Sequence, residues 1–512
     1  MGQWLVVADY RLRRVVYLIV FGFYFLVFGF HRLSAQPVSF SLSRTIEMAT
    51  DSSLQAFRAK NQYMAGYWAY RTFQAGRLPS LTLRTTPIQY NRVFASRYDS
   101  EANIDVYRSQ QSLYSNGNLS LSQNFDLTGG TFFIDSELNY MYNPSNKINP
   151  SQFSAAPFRI GYSQSLFGFN SFKWEKKIEP LKYEKAKTQF LYSQEEISET
   201  AIQYFFSLAI AQLEYDMATD NVASSDTLYR FGQERQKIAS ISQADLLTLK
   251  LDAVNARNSL KNASSSLKRA MFNFVSFLNI DKETAVKLEL PDRPVVPEIS
   301  PELALEYARK NNPDFIANQQ ELLEAERDVE RTKKISRFDA SFSASFGFSQ
   351  AAYHFPDAYR NLDKESIVRV GLTIPLVDWG VRKGQANMAI NNLNISRISI
   401  QQRVTALEQD VIMTANDFNI QQDLLQSAEE ALTLAVMAYQ TTKERFIIGK
   451  SDLNSLTLSL NRQNSAQRNY LAALKEYWLN YYKLRKLTLF DFEKGEGLGI
   501  RNYELRIMNY EL

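Results

Sequence analysis

The sequence has no cysteine and only two histidines, His31 and His354, among its 512 residues. Without cysteine the chain can form no disulfide, no thiolate nucleophile and no cysteine-ligated metal site. With one histidine, His354, beyond the first 35 residues, most histidine-based metal sites lack enough ligands, and a Ser-His-Asp triad would have a single candidate base. We therefore expect no catalytic residue, no metal site and no cofactor, and we expect that the chain is not an enzyme.

An excess of one charge is also missing once residues 1–35 are set aside. The remainder carries 54 basic and 53 acidic residues, a balance that gives no indication of nucleic acid binding. In residues 1–35, Arg11, Arg13 and Arg14 precede the apolar run Val15–Phe30, and LSA follows at 33–35. This order predicts a secretory signal peptide. A single membrane anchor is the alternative, although the run is short for a bilayer span.

Two halves of the chain repeat each other. Ile160–Asn170 aligns without a gap with Val370–Gly380, at an offset of 210 residues. This alignment predicts a first repeat at 36–290 and a second at 301–491, joined by a proline-rich linker at 291–300. Each repeat has a helix, then a β region, then long helices. Residues 492–512 contain two copies of NYEL, and we expect them to be a disordered tail.

Proline and glycine are nearly absent from the last part of each repeat. No proline follows Pro375, and Gly449 is the only glycine between Gly384 and Gly495. From Val404 onward, apolar residues recur at spacings of three and four for five heptads, which is typical of coiled-coil packing. We expect long helices at 172–280 and 381–490 that pack side by side.

The β regions alternate strictly between apolar and small polar residues. In Phe338–Phe348 every even position is Phe or Ala, and Ser366–Leu376 has a similar pattern, which predicts a β-hairpin at 338–376. Such alternation over about ten residues suits a membrane-barrel strand, although a strand of a soluble sandwich alternates equally well. Four strands common to both repeats cannot close a barrel, so identical copies would have to complete it.

The first repeat carries about 50 extra residues. Within them, 117–143 alternates on both sides of Thr128-Gly129-Gly130 and predicts an extra hairpin. It could be an extracellular or luminal hairpin, or an addition to the barrel wall.

A joint between strand and helix occurs once in each repeat. In the second repeat Pro375 suits a strand end, Asp378 can cap the coming helix, Gly380 allows a turn, and Trp379 suits a membrane interface. A nucleophile or ligand role for Asp378 is the alternative interpretation. The first repeat has Gly168, Phe169 and Asn170 in the matching positions.

The tandem halves, these joints and a second motif at Phe446–Leu456 resemble the TolC-like outer-membrane efflux and secretion channels (outer membrane factors) over about Ser41 to Asp491. The resemblance implies a mainly α fold with membrane β structure. It implies a homotrimer with four or more strands per chain in a shared outer-membrane barrel, twelve in all for four. This barrel would continue into a long periplasmic α-helical barrel.

The resemblance also implies a function, a location and partners. The chain would be a passive exit duct in outer-membrane lipid, spanning into the periplasm. A periplasmic adaptor (membrane fusion protein) would open it, and an inner-membrane RND or ABC-type pump would supply it. The gate and adaptor contact would lie at periplasmic tip turns containing Ala239, Ser240, Asp245, Gly449, Lys450, Asp452 and Ser455.

One part of the family pattern is absent from the second tip, where Ser455 and Leu458 stand in positions that can carry aspartates. Asp452 is an alternative acidic residue nearby. Asp245 and Asp452 could favour cations at the mouth, or they could cap the returning helices. The rival functions are a periplasmic or surface coiled-coil scaffold or adhesin without transport activity, and a surface enzyme.

Overall fold

A computed structural model describes residues 38–144, 148–237, 241–282, 284, 286–292, 296–448 and 450–499. The predicted signal peptide and residues 500–512 lie outside these ranges. The helices are α1 (Leu42–Ser52), α2 (Leu54–Ala75), α3 (Ser171–Lys237), α4 (Gln243–Phe277), α5 (Pro301–Asn311), α6 (Pro313–Ile335), α7 (Val381–Ile447) and α8 (Leu453–Thr488). The strands are β1 (Val38–Ser41), β2 (Ser80–Asp99), β3 (Ile104–Phe125), β4 (Gly130–Tyr142), β5 (Ser151–Ser165), β6 (Val286–Glu289), β7 (Asp339–Ala352), β8 (Asp363–Thr373), β9 (Phe490–Asp491) and β10 (Glu496–Gly497).

The helices confirm the prediction of two tandem repeats. Helices α3 and α7 both contain 67 residues, and α4 and α8 contain 35 and 36. Each pair begins 210 residues apart, which is the offset seen in the sequence. At a rise of 1.5 Å per residue, α7 is about 100 Å long. None of the helices in the described ranges combines the length and apolarity that a bilayer crossing requires.

Six strands form one antiparallel sheet in the order β2-β3-β4-β5-β7-β8. Register pairs such as Leu121↔Ile134 and Gly161↔Ser345 align neighbouring strands. The predicted extra hairpin is longer than 117–143, because its first strand begins at Ile104. Beyond the β3–β4 pairing, β2 and β3 continue as a two-stranded ribbon. In the described residues, the outer edges of β2 and β8 pair with no other strand.

The chain divides into two compact units, one of residues 1–53 and 201–293 and the other of 54–200 and 294–512. In the first unit β1 and β6 pair in parallel. Buried Phe40 and Phe274 pack edge to face with ring centroids 5.7 Å apart. Gln212 donates a hydrogen bond of 2.9 Å to the carbonyl of Val286, so α3 is tied to β6.

The second unit contains the six-stranded sheet, and the core of its helices is aromatic. Phe418 of α7 lies 5.2 Å and 5.7 Å from the rings of Tyr477 and Tyr481 of α8, and all three side chains are fully buried. Phe418 belongs to the predicted heptad seam, in which Val411 and Leu425 are also buried. The seam therefore faces α8, as knobs-into-holes packing requires.

The first residues of the predicted tail differ from the expectation of disorder. Strand β10 pairs with β9, and Leu498 N–H donates 2.9 Å to the carbonyl of Leu489. The Asp491 carboxylate accepts hydrogen bonds from the backbone N–H groups of Glu493 and Lys494, at 3.1 and 3.2 Å. A side chain that binds the backbone two and three residues ahead stabilises a turn, so this stretch is ordered as far as residue 499.

Candidate functional site

The joint of the second repeat is built around the carboxylate of Asp378. It accepts hydrogen bonds from the N–H groups of Gly380 (3.1 Å) and Arg382 (3.2 Å), the latter being the second residue of α7. Trp379 and Gly380 have positive φ values of 55° and 90°, a turn that favours glycine. The bonds from Gly380 and then Arg382 lower the pKa of Asp378. These contacts are those of a helix cap.

Large apolar side chains surround this joint and are open to solvent in the single chain. Trp379 is 96% exposed, Leu376 88% and Val377 70%. Pro375 lies two residues beyond the end of β8. Exposed aromatic and apolar side chains at the end of an amphipathic strand are typical of a membrane–water boundary.

The joint of the first repeat uses Asn170 in place of an aspartate. Its Oδ1 accepts a hydrogen bond of 3.1 Å from Lys173 N–H, in the first turn of α3. Its Nδ2 donates 2.8 Å to the carbonyl of Asp126, in the turn between β3 and β4. Gly168 and Phe169 connect β5 to this residue. Asn170 therefore binds both the helix start and the turn of the extra hairpin.

The turn after α3 leads into a capping box. Asp245 N–H donates 3.1 Å to Ser242 Oγ, and Ser242 N–H donates 3.2 Å to Asp245 Oδ2. Hydrogen bonds from the Ser242 hydroxyl and then its backbone lower the pKa of Asp245. Of the predicted residues at this tip, Ala239 and Ser240 lie outside the described ranges.

The turn after α7 begins its return helix with a single aspartate. Asp452 Oδ1 accepts a hydrogen bond of 2.7 Å from Ser455 N–H, and bonds from the Ser455 hydroxyl and then its backbone lower the pKa of Asp452. Lys450 is exposed, and its N–H donates 2.8 Å to the carbonyl of Arg445. Gly449 lies outside the described residues. Asp245 and Asp452 therefore both contribute to helix caps. Their role in ion selectivity stays a prediction for experiment.

Sequence reasoning missed a charged cluster on the polar face of the sheet. Arg159 of β5 donates to both carboxylate oxygens of Asp135 in β4, at 2.9 and 2.6 Å, and lies 3.4 Å from Glu137. Asn118 of β3 also donates to Asp135, at 3.4 Å. The signal was present in the sequence as opposite charges on two alternating segments, but only strand pairing brings them opposite each other.

Comparison with known proteins shows which proteins this architecture is similar to. Residues 304–488 match the model of the outer membrane efflux protein family. The CmeC outer membrane channel of Campylobacter jejuni superimposes with a TM-score of 0.64, at 12% identity over 91% of this chain and 89% of that one. VceC from Vibrio cholerae gives 0.60, at 14% identity over 90% and 97%. The MtrE channel of Neisseria gonorrhoeae gives 0.56, at 14% identity over 89% of each chain.

The chain has a TolC-like fold. It shares with these channels a mainly α fold that also contains β structure. An uncharacterized protein of Haemophilus influenzae is 23% identical over 240 residues, which are 46% of this chain. The TolC-like chain spans about half (50%) of the length of that curated relative.

Proposed function

We propose that this TolC-like chain is the passive outer-membrane exit duct of a tripartite efflux or type I secretion system. It works as a homotrimer, an adaptor protein opens it at its tip turns, and an inner-membrane RND or ABC-type pump supplies it. In this proposal the sheets of three copies form one barrel in outer-membrane lipid, and the long helices extend into the periplasm.

The observation that carries the proposal is an amphipathic sheet with two open edges, in a chain of TolC-like fold. On β8 the side chains of Val368, Val370 and Leu372 are 70%, 69% and 60% exposed. A single chain leaves these apolar groups in water, and in the described residues the backbone groups on the outer edges of β2 and β8 pair with no other strand. Lipid would cover the apolar face, and neighbouring copies would pair the edges.

Reconstitution of the purified full chain into planar bilayers tests the duct. We expect discrete conducting steps and a trimeric mass in detergent by light scattering. Val370→Arg places a charge on the apolar face and should abolish insertion, because such a change costs about 2–4 kcal/mol at mid-membrane. Ser345→Arg, on the opposite face of β7, is the matched control and should still conduct. A monomeric, non-conducting chain would favour the scaffold or adhesin instead.

A further inference from the structure

The extra hairpin of the first repeat is a full part of the sheet. Strands β3 and β4 lie between β2 and β5 in the strand order, and they contain 22 and 13 residues. A transmembrane strand needs about 9–11 residues, and all six strands reach that length, the shortest being β8 with 11. No strand of the sheet is too short to cross the apolar layer.

The apolar face runs across the inserted strands without interruption. Leu121, Ile134, Ile160 and Phe346 stand opposite one another in the register of β3, β4, β5 and β7. Large apolar residues on the inserted strands and on β5 share similar exposures of 38–45%: Leu119, Leu121, Phe132, Ile134, Phe158 and Ile160. The inserted strands therefore present to their surroundings the same kind of surface as the strands common to both repeats.

On the polar face of the sheet, an ion pair joins the hairpin to β5, a strand of the plan common to both repeats. The bidentate pair between Asp135 and Arg159 joins β4 to β5, and the Asp135 side chain is 9% exposed. Planar, bidentate pairs of this kind fix geometry as well as charge. A hairpin that merely covered the sheet as a loop would not require such a register-specific pair.

The turn of the hairpin is anchored at the end where the helices begin. Arg77, just before β2, forms an ion pair with Asp126 of the turn. Gln123 donates 2.8 Å to the carbonyl of Arg77, and Asn170 donates to the carbonyl of Asp126. The turn is thus held between the residues that precede β2 and those that precede α3, as an additional member of the wall.

We propose that the membrane wall of one copy is six strands wide, and that three copies close a barrel of eighteen strands, three times the six of one sheet. This inference rests on the proposed function. Because the strand number is even and every neighbour is antiparallel, β8 of one copy runs antiparallel to β2 of the next and can pair with it. Barrel diameter grows roughly linearly with strand number, so the lumen is about 1.5 times as wide as that of twelve strands.

Cysteine crosslinking of the full chain tests the wall, because the natural sequence has no cysteine. Leu83→Cys in β2 is combined in turn with Val368→Cys, Val370→Cys and Leu372→Cys in β8. After oxidation in membranes we expect covalent dimers and trimers on a denaturing gel for at least one combination. Leu121→Cys with Ile134→Cys is the control within one chain and should form a bond without adding mass.

A second pair decides between the two wall widths. With two strands between them, β2 and β5 lie about 14 Å apart, at 4.8 Å per strand, beyond the 7 Å reach of a disulfide. Leu83→Cys with Ile160→Cys should therefore stay reduced. A bond between them, or a strand count of twelve by electron cryomicroscopy in trimers that conduct, would overturn the six-stranded wall. A chain that forms neither trimers nor pores would instead reject the proposed function.

Discussion

The two repeats have helices of nearly the same length at matching positions, yet their capping groups differ. At the joints, Asn170 of the first repeat aligns with Gly380 of the second, which lies two residues after Asp378. At the tips a Ser242–Asp245 capping box corresponds to Asp452 alone. What both copies retain is a hydrogen-bond acceptor for the first N–H groups of each helix, which otherwise lack partners. Duplication has preserved where the helices begin, while the residue that begins each one has changed.

The ends of the return helices differ more strongly. Position 275 in α4 is a fully buried valine, and the matching position in α8 is Arg485. The Arg485 guanidinium lies 3.0 Å from Glu195 and 3.2 Å from Asp491, with side-chain exposures of 14%, 9% and 4%. Burial opposes the charge on Arg485, but the carboxylates nevertheless hold its pKa above the ordinary value. One repeat ends in an apolar contact and the other in a buried ionic one.

Removing that ionic contact should give the largest effect. Arg485→Met leaves two buried carboxylates without their cationic partner, and breaking a buried pair in this way costs about 3–5 kcal/mol. Thermal unfolding of the detergent-solubilised protein, followed by its helical circular dichroism, measures the loss. Arg309→Met is the matched control, because its pair with Glu408 is exposed on the arginine side (57%) and such pairs contribute about 0–1 kcal/mol. If Arg485→Met and Arg309→Met lost the same stability, the buried ion pair would contribute no more than the exposed one, which would contradict this prediction.

Substitutions at the two strand-to-helix joints should have an intermediate effect on stability, and this effect should differ between the repeats. Asn170→Asp keeps the acceptor for Lys173 N–H but removes the amide that donates to the Asp126 carbonyl. Losing this bond should cost about 1–2 kcal/mol and should open the 126–129 turn to limited proteolysis. Asp378→Asn is the matched exchange, and it should leave the proteolysis pattern of the 126–129 turn unchanged because Asp378 bonds Gly380 and Arg382 at the start of its own helix. Equal protection of the turn in both variants would show that Asn170 caps only its own helix.

The smallest effects are expected at the tips, where charge and capping can be separated. Asp245→Ala combined with Asp452→Ala removes both properties, whereas Asp452→Asn keeps an acceptor for Ser455 N–H and removes only the charge. If the carboxylates set selectivity, both changes shift the single-channel reversal potential toward anions. An unchanged potential, with faster amide exchange in the alanine variant alone, would leave capping as their only role.

The tip caps also predict a direction of pH dependence. Because the pKa values of Asp245 and Asp452 are lowered in the folded chain, the caps contribute fully above the ordinary aspartate value of about 3.9. Their contribution is lost as pH falls through the lower folded values. The difference in helical signal between the natural chain and the double alanine variant should vanish on acidification. A difference that persists at the lowest pH would contradict a role for the ionised groups.

Much of the fold could be predicted from local spacing. The offset of 210 residues, the heptads of α7 and the alternation in β7 each depend on residues close in sequence. The alternation and the Thr128-Gly129-Gly130 turn predict the extra hairpin, but they do not specify its place in the fold. Alternation indicates a strand with two different faces and does not specify which neighbours the strand pairs with.

The sequence by itself determined the repeat, the long helices and the amphipathic strands, because periodicity and capping act within a few turns or a few residues. Only the tertiary structure decided that β3 and β4 enter the sheet between β2 and β5. It also decided that Arg485 meets Glu195, a residue 290 positions away. Strand partners and buried ion pairs are chosen by packing over long sequence distances, where the free energy of a contact depends on every element that surrounds it.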